Sequence, residues 1–249
     1  MGRLIEERAL EKGLKVAAVI DPYAGDSSRG SRMYKSLESL AQLPEKPDLA
    51  IEFTGPDTAL ENLLFLAREK IPAVTGTTGW FDKLPELKKV VEANSTSLFY
   101  SPNFSLGMNL FYRIAAHAAE IFDPFPEYDA GGIETHQNKK ADSPSGTARE
   151  IAERVLSKMK RKKKAVYDML DHPPAADELH FASLRTGSVP GTHSLIFDSP
   201  ADSIEVTHTL RNREGLVAGT LRAAQWLYEQ KRSGIFTMDD MLSDILQRR

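Results

Sequence analysis

"DLAIEFTGPDTALENLLFLAREKIPAVTG" (residues 48–76) decides the fold. Its first six residues, 48–53, follow Pro47 and form a short apolar run. Residues 56–70 have helical spacing, with Leu60, Leu63, Leu64 and Ala67 on one face. Residues 71–76 return to strand character. A strand, a helix of this length and a second strand make a βαβ unit, and βαβ units build a parallel sheet. Outward from it the alternation continues. "LKVAAVI" (14–20) is an apolar run that stops at Asp21-Pro22, "LPELKKVVEAN" (84–94) is helical and "SLFYSP" (97–102) is a strand. In such sheets a ligand lies beyond the carboxyl ends of the strands. Four segments end there: "IDP", "EFTGP", "TGTTGW" and "YSPNFSLG". Any one of them reads as an ordinary turn; four on one edge predict a cofactor crevice.

Beyond Leu106 the pattern changes. A helix with a mostly apolar face (107–122), a strand (128–136) and a second helix (147–159) precede the basic tract "KMKRKKK" (158–164). Residues 180–211 read as consecutive strands broken by Gly, Pro and Asp turns, an antiparallel α+β segment. The helix at 215–230 returns to the parallel-domain type. The expected division is 1–105 plus 214–249 for the α/β domain and 106–213 for an inserted α+β domain.

Composition bounds the function. The 249 residues carry a net charge of −3, and 41% are hydrophobic, enough for a sizeable core. A near-neutral balance gives no reason to expect nucleic acid or a membrane surface as partner. No apolar run approaches the roughly 20 residues that span a bilayer, and the first residues read as an amphipathic helix and not a signal peptide, so a cytoplasmic protein is expected. With no cysteine there is no disulfide or thiolate chemistry. Among the six histidines no pair has metal-ligand spacing backed by other ligands, so no metal is expected. His117 is read as a packing residue, His193 and His208 as strand positions, and the basic tract as a solvated helix end.

One stretch carries chemistry: "ETHQNKKADSPSGTARE" (134–150). The strand delivers His136 at its end. Ser145, Gly146 and Thr147 open a helix, with Thr147 and Glu150 in capping-box spacing. A helix start offers unpaired backbone N–H groups to a carboxylate or phosphate, and Gly146 lets a ligand approach closely. Lys140 adds a full positive charge. An anion held there has His136 within reach as a proton donor, since imidazole titrates near neutrality. The competing reading is a capped turn with a solvated lysine pair.

The same residues resemble the signature E-x-H-H-x-x-K-x-D-x-P-S-G-T-A of the 4-hydroxy-tetrahydrodipicolinate reductase (dihydrodipicolinate reductase) family, nicotinamide-dependent enzymes of lysine and diaminopimelate synthesis. Here it stands as Glu134, His136, Gln137, Lys140, Asp142, Pro144, Ser145, Gly146, Thr147 and Ala148. "SPNFSLGMNLFYRIA", "RTGSVPGTHSLIF" and the terminal "AAQWL" helix are also similar to the family pattern, so the resemblance covers nearly the whole chain. It implies an α/β fold: a Rossmann-like dinucleotide-binding domain with an inserted α+β substrate and oligomerisation domain, assembled as a homotetramer. It implies His136 as the acid that protonates the ring carbon after hydride addition, and Lys140 as the residue that stabilises the transition state. Gly146 and Thr147 would hold a carboxylate of a small dicarboxylate substrate. Gly76, Thr77, Thr78, Ser101, Pro102, Asn103 and Phe104 would meet the nicotinamide end of the cofactor, and Met1 would lie at its phosphate turn. Asp21 would face the adenosine ribose, where a carboxylate repels a 2′-phosphate; NADH is therefore preferred, with NADPH possible and Arg29 or Arg32 softening the choice.

Two departures stand out. Gln137 replaces a second histidine that contacts substrate; glutamine donates a hydrogen bond but cannot become cationic. The first strand and glycine-rich turn of a dinucleotide fold are missing, since "MGRLIEE" matches only the end of that turn and its helix. Strands flanking that position would then lose a neighbour. Two other readings are a related two-domain reductase and an N-terminally truncated or degenerate homologue that binds a small dicarboxylate without redox activity. Aspartate-semialdehyde dehydrogenase needs a cysteine, which this chain lacks, and homoserine dehydrogenase lacks "SPSGTA" after a histidine.

Overall fold

The computed structural model describes residues 1–23, 33–167 and 169–248. In chain order the elements are α1 (Gly2–Glu11), β1 (Val19–Ile20), β2 (Met33–Tyr34), β3 (Ala50–Glu52), α2 (Pro56–Arg68), β4 (Ala73–Thr75), α3 (Leu84–Ala93) and β5 (Ser97–Tyr100). There follow α4 (Leu106–Phe122), β6 (Asp129–His136), α5 (Gly146–Lys158), β7 (Lys164–Val166), β8 (Glu178–Arg185), β9 (Thr192–Asp198) and β10 (Ser203–Thr209). The chain closes with α6 (Glu214–Gln230), β11 (Gly234–Phe236) and α7 (Met238–Gln247). It divides into two compact units, Met1–Ser105 with Leu216–Arg249, and Leu106–Gly215.

The first unit holds a four-stranded parallel sheet in the order β11-β5-β4-β3. The βαβ stretch behaves as its periodicity dictates. Gly55 caps α2 in extended conformation, and Pro56 at its first position gives up an N–H that has no helical partner there. The helix buries Ala59, Leu63, Leu66 and Ala67 against Leu87 and Val91 of α3 and Leu98 of β5. Leu60 is only partly buried, so the inward face is rotated towards Leu66 relative to the sequence reading. Truncating Leu63 or Leu87 to alanine would cost about 2–5 kcal/mol. Among the described residues β1 and β2 pair in parallel with each other alone, and β3 is an edge of its sheet. Ile51 and Phe53 pack instead with Ile5 and Ala9 of α1 and Val217 and Leu221 of α6.

The second unit is a five-stranded sheet, β10-β9-β6-β8-β7, with α4 and α5 on one face. The expected run of antiparallel neighbours is only partly present. β9 pairs antiparallel with β10 and β6, but β8 pairs parallel with both β6 and β7. β6 therefore lies between β8 and β9, which are neighbours in sequence and not in space. The α5 crossover leads from β6 to β7 and the long connection 167–177 leads on to β8, so these strands can run parallel, whereas short turns around β9 and β10 enforce reversal. On the covered face, Ala130, Phe181, Leu195 and Phe197 pack against Phe111, Ala115, Ile151 and Val155.

The basic tract is less solvated than its composition suggests. Lys162 is 2% exposed, and its Nζ donates to the Glu178 carbonyl at 2.6 Å and pairs with Asp129 at 2.5 Å. His117, read as packing, is solvent-exposed and lies 3.7 Å from Glu120. No helix among the described residues is long and apolar enough to cross a membrane.

Candidate functional site

The second unit gathers its polar residues at the carboxyl end of β6. Alternation along this strand turns Ala130, Glu134 and His136 to the covered face. The carboxylate of Glu134 is fully buried and heavily bonded. Its Oε1 accepts from the Ser145 amide at 2.9 Å, from the Ser183 hydroxyl at 2.8 Å and from Arg185 at 2.8 Å. Its Oε2 accepts from the Ser145 hydroxyl and lies 3.3 Å from His136 Nε2 and 3.4 Å from His193 Nε2. Burial pushes this carboxyl up, but hydrogen bonds from His193, Ser145 and Arg185 outweigh it and hold it far below the usual carboxylate range.

His136 is 9% exposed. Its Nδ1 lies 3.2 Å from the Pro190 carbonyl and its Nε2 lies 3.4 Å from His193 Nε2. Burial, His193 and Lys140 lower its proton affinity, against Glu134 and the Pro190 carbonyl, which raise it. Gly191 closes one side of the ring. A Cβ there would sit 2.8 Å from His136 Cε1, and the backbone φ of +156° disfavours side chains.

The helix start takes a different form from the one expected. The cap of α5 is Ser145, whose hydroxyl accepts from the Ala148 amide at 3.1 Å; Thr147 is already inside the helix. Thr147 bonds the Tyr112 hydroxyl, and Glu150 pairs with Arg154 at 2.7 Å, so neither makes the reciprocal capping box. Gly146 is exposed, and a Cβ at that position would enter open space. Lys140 is partly exposed and binds both oxygens of Asp142, at 2.7 and 2.9 Å. Gln137 is exposed, and its carbonyl accepts from the Lys140 amide. His136, Lys140, Gly146 and Thr147 thus belong to one unit and to one short stretch of it.

Sequence reasoning missed three members. His193 and Arg185 arrive from β9 and β8, neighbours of β6 that no linear spacing reveals. Gly191 was visible only as a glycine in "VPGT". The fold also brings the ligand atoms of Glu134, His136 and His193 within 4.8 Å of one another, a three-ligand constellation that histidine spacing did not show. Arg185 already matches the Glu134 charge at 2.8 Å, which leaves these groups without the net negative charge that would draw a cation.

In the first unit the expected cofactor residues line the carboxyl ends of β4 and β5. Their organiser, also missed, is Glu52 at the end of β3. It accepts from the Thr54 amide at 2.9 Å, from Thr77 Oγ1 at 3.1 Å and from the hydroxyls of Thr54 and Thr75. The Trp80 indole fixes the Thr77 carbonyl at 2.8 Å. Thr78 is exposed, and Gly76 needs its missing side chain, since a Cβ would fall 2.2 Å from the Phe53 ring. Ser101 and Asn103 bond each other, Asn103 Oδ1 accepts from Ser105 N at 2.9 Å, and Pro102 is exposed. Phe104 is buried between Phe53 and Phe99, so only its backbone is free to meet a ligand. Asp21 follows β1 and accepts from the Tyr23 amide at 3.0 Å. Met1 caps α1 through its carbonyl, with no acidic residue in the first turn. Arg29 and Arg32 lie outside the described residues. Rigid threonine-rich loops at parallel strand ends fit a dinucleotide.

Comparison with known proteins agrees with this geometry. The family description "Dihydrodipicolinate reductase, N-terminus" matches residues 1–104, and "Dihydrodipicolinate reductase, C-terminus" matches residues 107–242. The chain is 34% identical over 253 residues to the 4-hydroxy-tetrahydrodipicolinate reductase of Archaeoglobus fulgidus, covering 97% of this chain and 95% of that one. It is 36% identical over 200 residues to that of Christiangramia forsetii, covering 80% and 81%. Among solved structures, a dipicolinate-bound dihydrodipicolinate reductase from Paenisporosarcina sp. TG-14 shares the fold with a TM-score of 0.75 at 21% identity, covering 94% of this chain and 93% of that one. An amine dehydrogenase from Mycobacterium smegmatis follows at a TM-score of 0.62 and 12% identity, over 96% and 92%. With both halves matched and relatives above 30% identity along nearly its full length, the chain belongs to the dihydrodipicolinate reductase family.

Proposed function

We propose that this protein reduces 4-hydroxy-tetrahydrodipicolinate to tetrahydrodipicolinate, with loss of water, using NAD(P)H. The observation that carries the reading is the continuous family match over both units, with His136, Lys140 and the "SPSGTA" helix start in register. The loops at Gly76–Thr78 and Ser101–Phe104 would hold the nicotinamide, which would supply the hydride when bound. The chain supplies the rest. The open amides of Gly146 and Thr147 at the start of α5 bind one substrate carboxylate. Lys140 brings positive charge to the same substrate dianion, and Gln137 adds a neutral donor where relatives of the signature have histidine. His136 gives a proton to the ring carbon. Burial and neighbouring His193 keep its imidazole below the ordinary value in the free chain. A dianionic substrate reverses that bias, since nearby negative charge favours the protonated ring. The acid is therefore loaded as the substrate arrives.

The carboxylate of Asp21 at the end of β1 favours NADH over NADPH. A homotetramer is supported by the uncovered face of the second unit's sheet, which displays Ile133 and Leu184 at 40% and 49% exposure. The test is titration of NADH and NADPH into the purified chain, followed by cofactor oxidation with substrate formed in situ. Saturable binding, tighter for NADH, with turnover is expected; no binding of either cofactor would defeat the proposal.

A further inference from the structure

The buried triangle of His136 Nε2, His193 Nε2 and Glu134 Oε2 has edges of 3.3, 3.4 and 3.4 Å. Its hydrogen placement follows from its surroundings. The Pro190 carbonyl only accepts, so His136 Nδ1, 3.2 Å away, carries a hydrogen and donates it. Nε2 is then the atom that gains or loses the proton. When it is bare, its lone pair faces the carboxylate oxygen of Glu134, which favours protonation. The Nε2–H of His193, shared between that carboxylate and His136, satisfies the same lone pair, which favours the bare state.

We infer that Glu134 and His193 are positioning residues that set the proton affinity of His136 in opposite directions, Glu134 raising it and His193 lowering it. The inference rests on the reading of His136 as the proton donor. Among the described residues, the titratable groups that bear on the ring are Glu134 on its own strand, His193 from β9 and Lys140 from the following loop, with Arg185 from β8 acting through Glu134 Oε1. Glu134 cannot swing away. Bonds from the Ser145 amide, Ser183 and Arg185 fix one oxygen, and the Ser145 hydroxyl fixes the other. Its influence on His136 is thus permanent. Ser145 is also the cap of α5, so one carboxylate fixes both the proton donor and the turn that meets the substrate anion.

A merely structural Glu134 or His193 would disturb the ring without a preferred sign, which makes the sign the test. The His136 ring signals of the full-length protein, assigned with His136→Gln, are followed by NMR against pH in wild type, Glu134→Gln and His193→Gln. Glu134→Gln should lower the His136 titration midpoint by about one unit or more, and His193→Gln should raise it by a comparable amount. The alkaline limb of kcat against pH should move in the same sense in each variant. Glu134→Asp keeps the charge and should restore the midpoint towards wild type, which also covers the case where Glu134→Gln does not fold. Shifts of the same sign in both variants, or no shift in His193→Gln, overturn the inference. Opposite shifts in a protein that never oxidises NADH would leave it standing and remove the proposed reaction instead.

Discussion

Gly191→Ala probes His136, the proposed proton donor, without touching its chemistry. The new Cβ would stand 2.8 Å from His136 Cε1, 3.3 Å from Nδ1 and 3.6 Å from Nε2. Ordinary carbon contacts begin near 3.4 Å, so the ring must retreat by roughly 0.6 Å or the β9 backbone must shift. Either motion stretches the 3.2 Å bond to the Pro190 carbonyl and the 3.3 Å approach to Glu134. Overpacking of this kind costs about 1–3 kcal/mol. The φ of +156° adds strain that alanine cannot relieve. A displacement approaching 1 Å at a reacting group costs on the order of 100-fold in rate, so kcat should fall roughly 10- to 100-fold. KM should change less, because Lys140 and α5 are untouched. The assay pairs steady-state kinetics with a denaturant melt. A variant as stable as wild type with normal kcat would show that the ring is not held by this backbone. Lost stability with normal kcat would show that its position does not matter to the reaction.

His136→Gln should lower kcat by roughly 100-fold, the usual scale for losing a general acid, while NADH affinity measured by calorimetry stays near wild type. Lys140→Ala should raise substrate KM on the order of 10- to 100-fold, from the 1.5–3 kcal/mol typical of a bond to a charged group. Its melt should move by less than about 1 kcal/mol; a large stability loss with normal KM would make Lys140 structural. Because the Glu134 carboxyl titrates far below its unfolded value of about 4.3, its stabilisation is present above that pH and is lost as pH falls below it. Glu134→Gln should therefore flatten the acid limb of the stability profile below about pH 4, and an unchanged slope there would contradict the assignment.

The parts of this protein legible in its sequence were those written locally. The βαβ unit at 48–76 shows itself because helix and strand periods differ and Pro56 marks the junction. The helix start at Ser145 shows itself through its small residues, although the cap was misplaced by two positions because Thr147 and Glu150 mimic the box. The hidden parts depend on strand order. His193 and Arg185 join Glu134 only because β6 is inserted between β8 and β9, and nothing in residues 178–209 announces a parallel neighbour. Glu52 is a lone acid in an apolar run, and its four hydroxyl and amide partners come from Thr54 just after β3 and from Thr75 and Thr77 at the end of β4. β11 escaped notice because three residues carry too little periodicity; α7 escaped it although it runs for ten residues and Thr237 and Asp240 form a full capping box.

On the proposed function, the pairing of Lys140 with Asp142 gives the site a basis for choosing its anion. In the free chain the ammonium already holds both carboxylate oxygens, at 2.7 and 2.9 Å, and Arg185 anchors the Asp142 carbonyl at 2.6 Å. A monocarboxylate that displaces Asp142 exchanges one carboxylate for another and gains little. A ligand with two carboxylates can engage Lys140 with one and the open amides at Gly146 and Thr147 with the other, and the second contact replaces only water. The displaced Asp142 stays tethered by its backbone to Arg185, so its charge remains close and penalises any anion that does not make both contacts. Selectivity for a dicarboxylate then comes from an internal competitor held in place, and Asp142→Asn should relax it, tightening monocarboxylate inhibitors more than dicarboxylate ones. Equal tightening of both, measured as inhibition constants in the same assay, would show that Asp142 does not compete for the lysine.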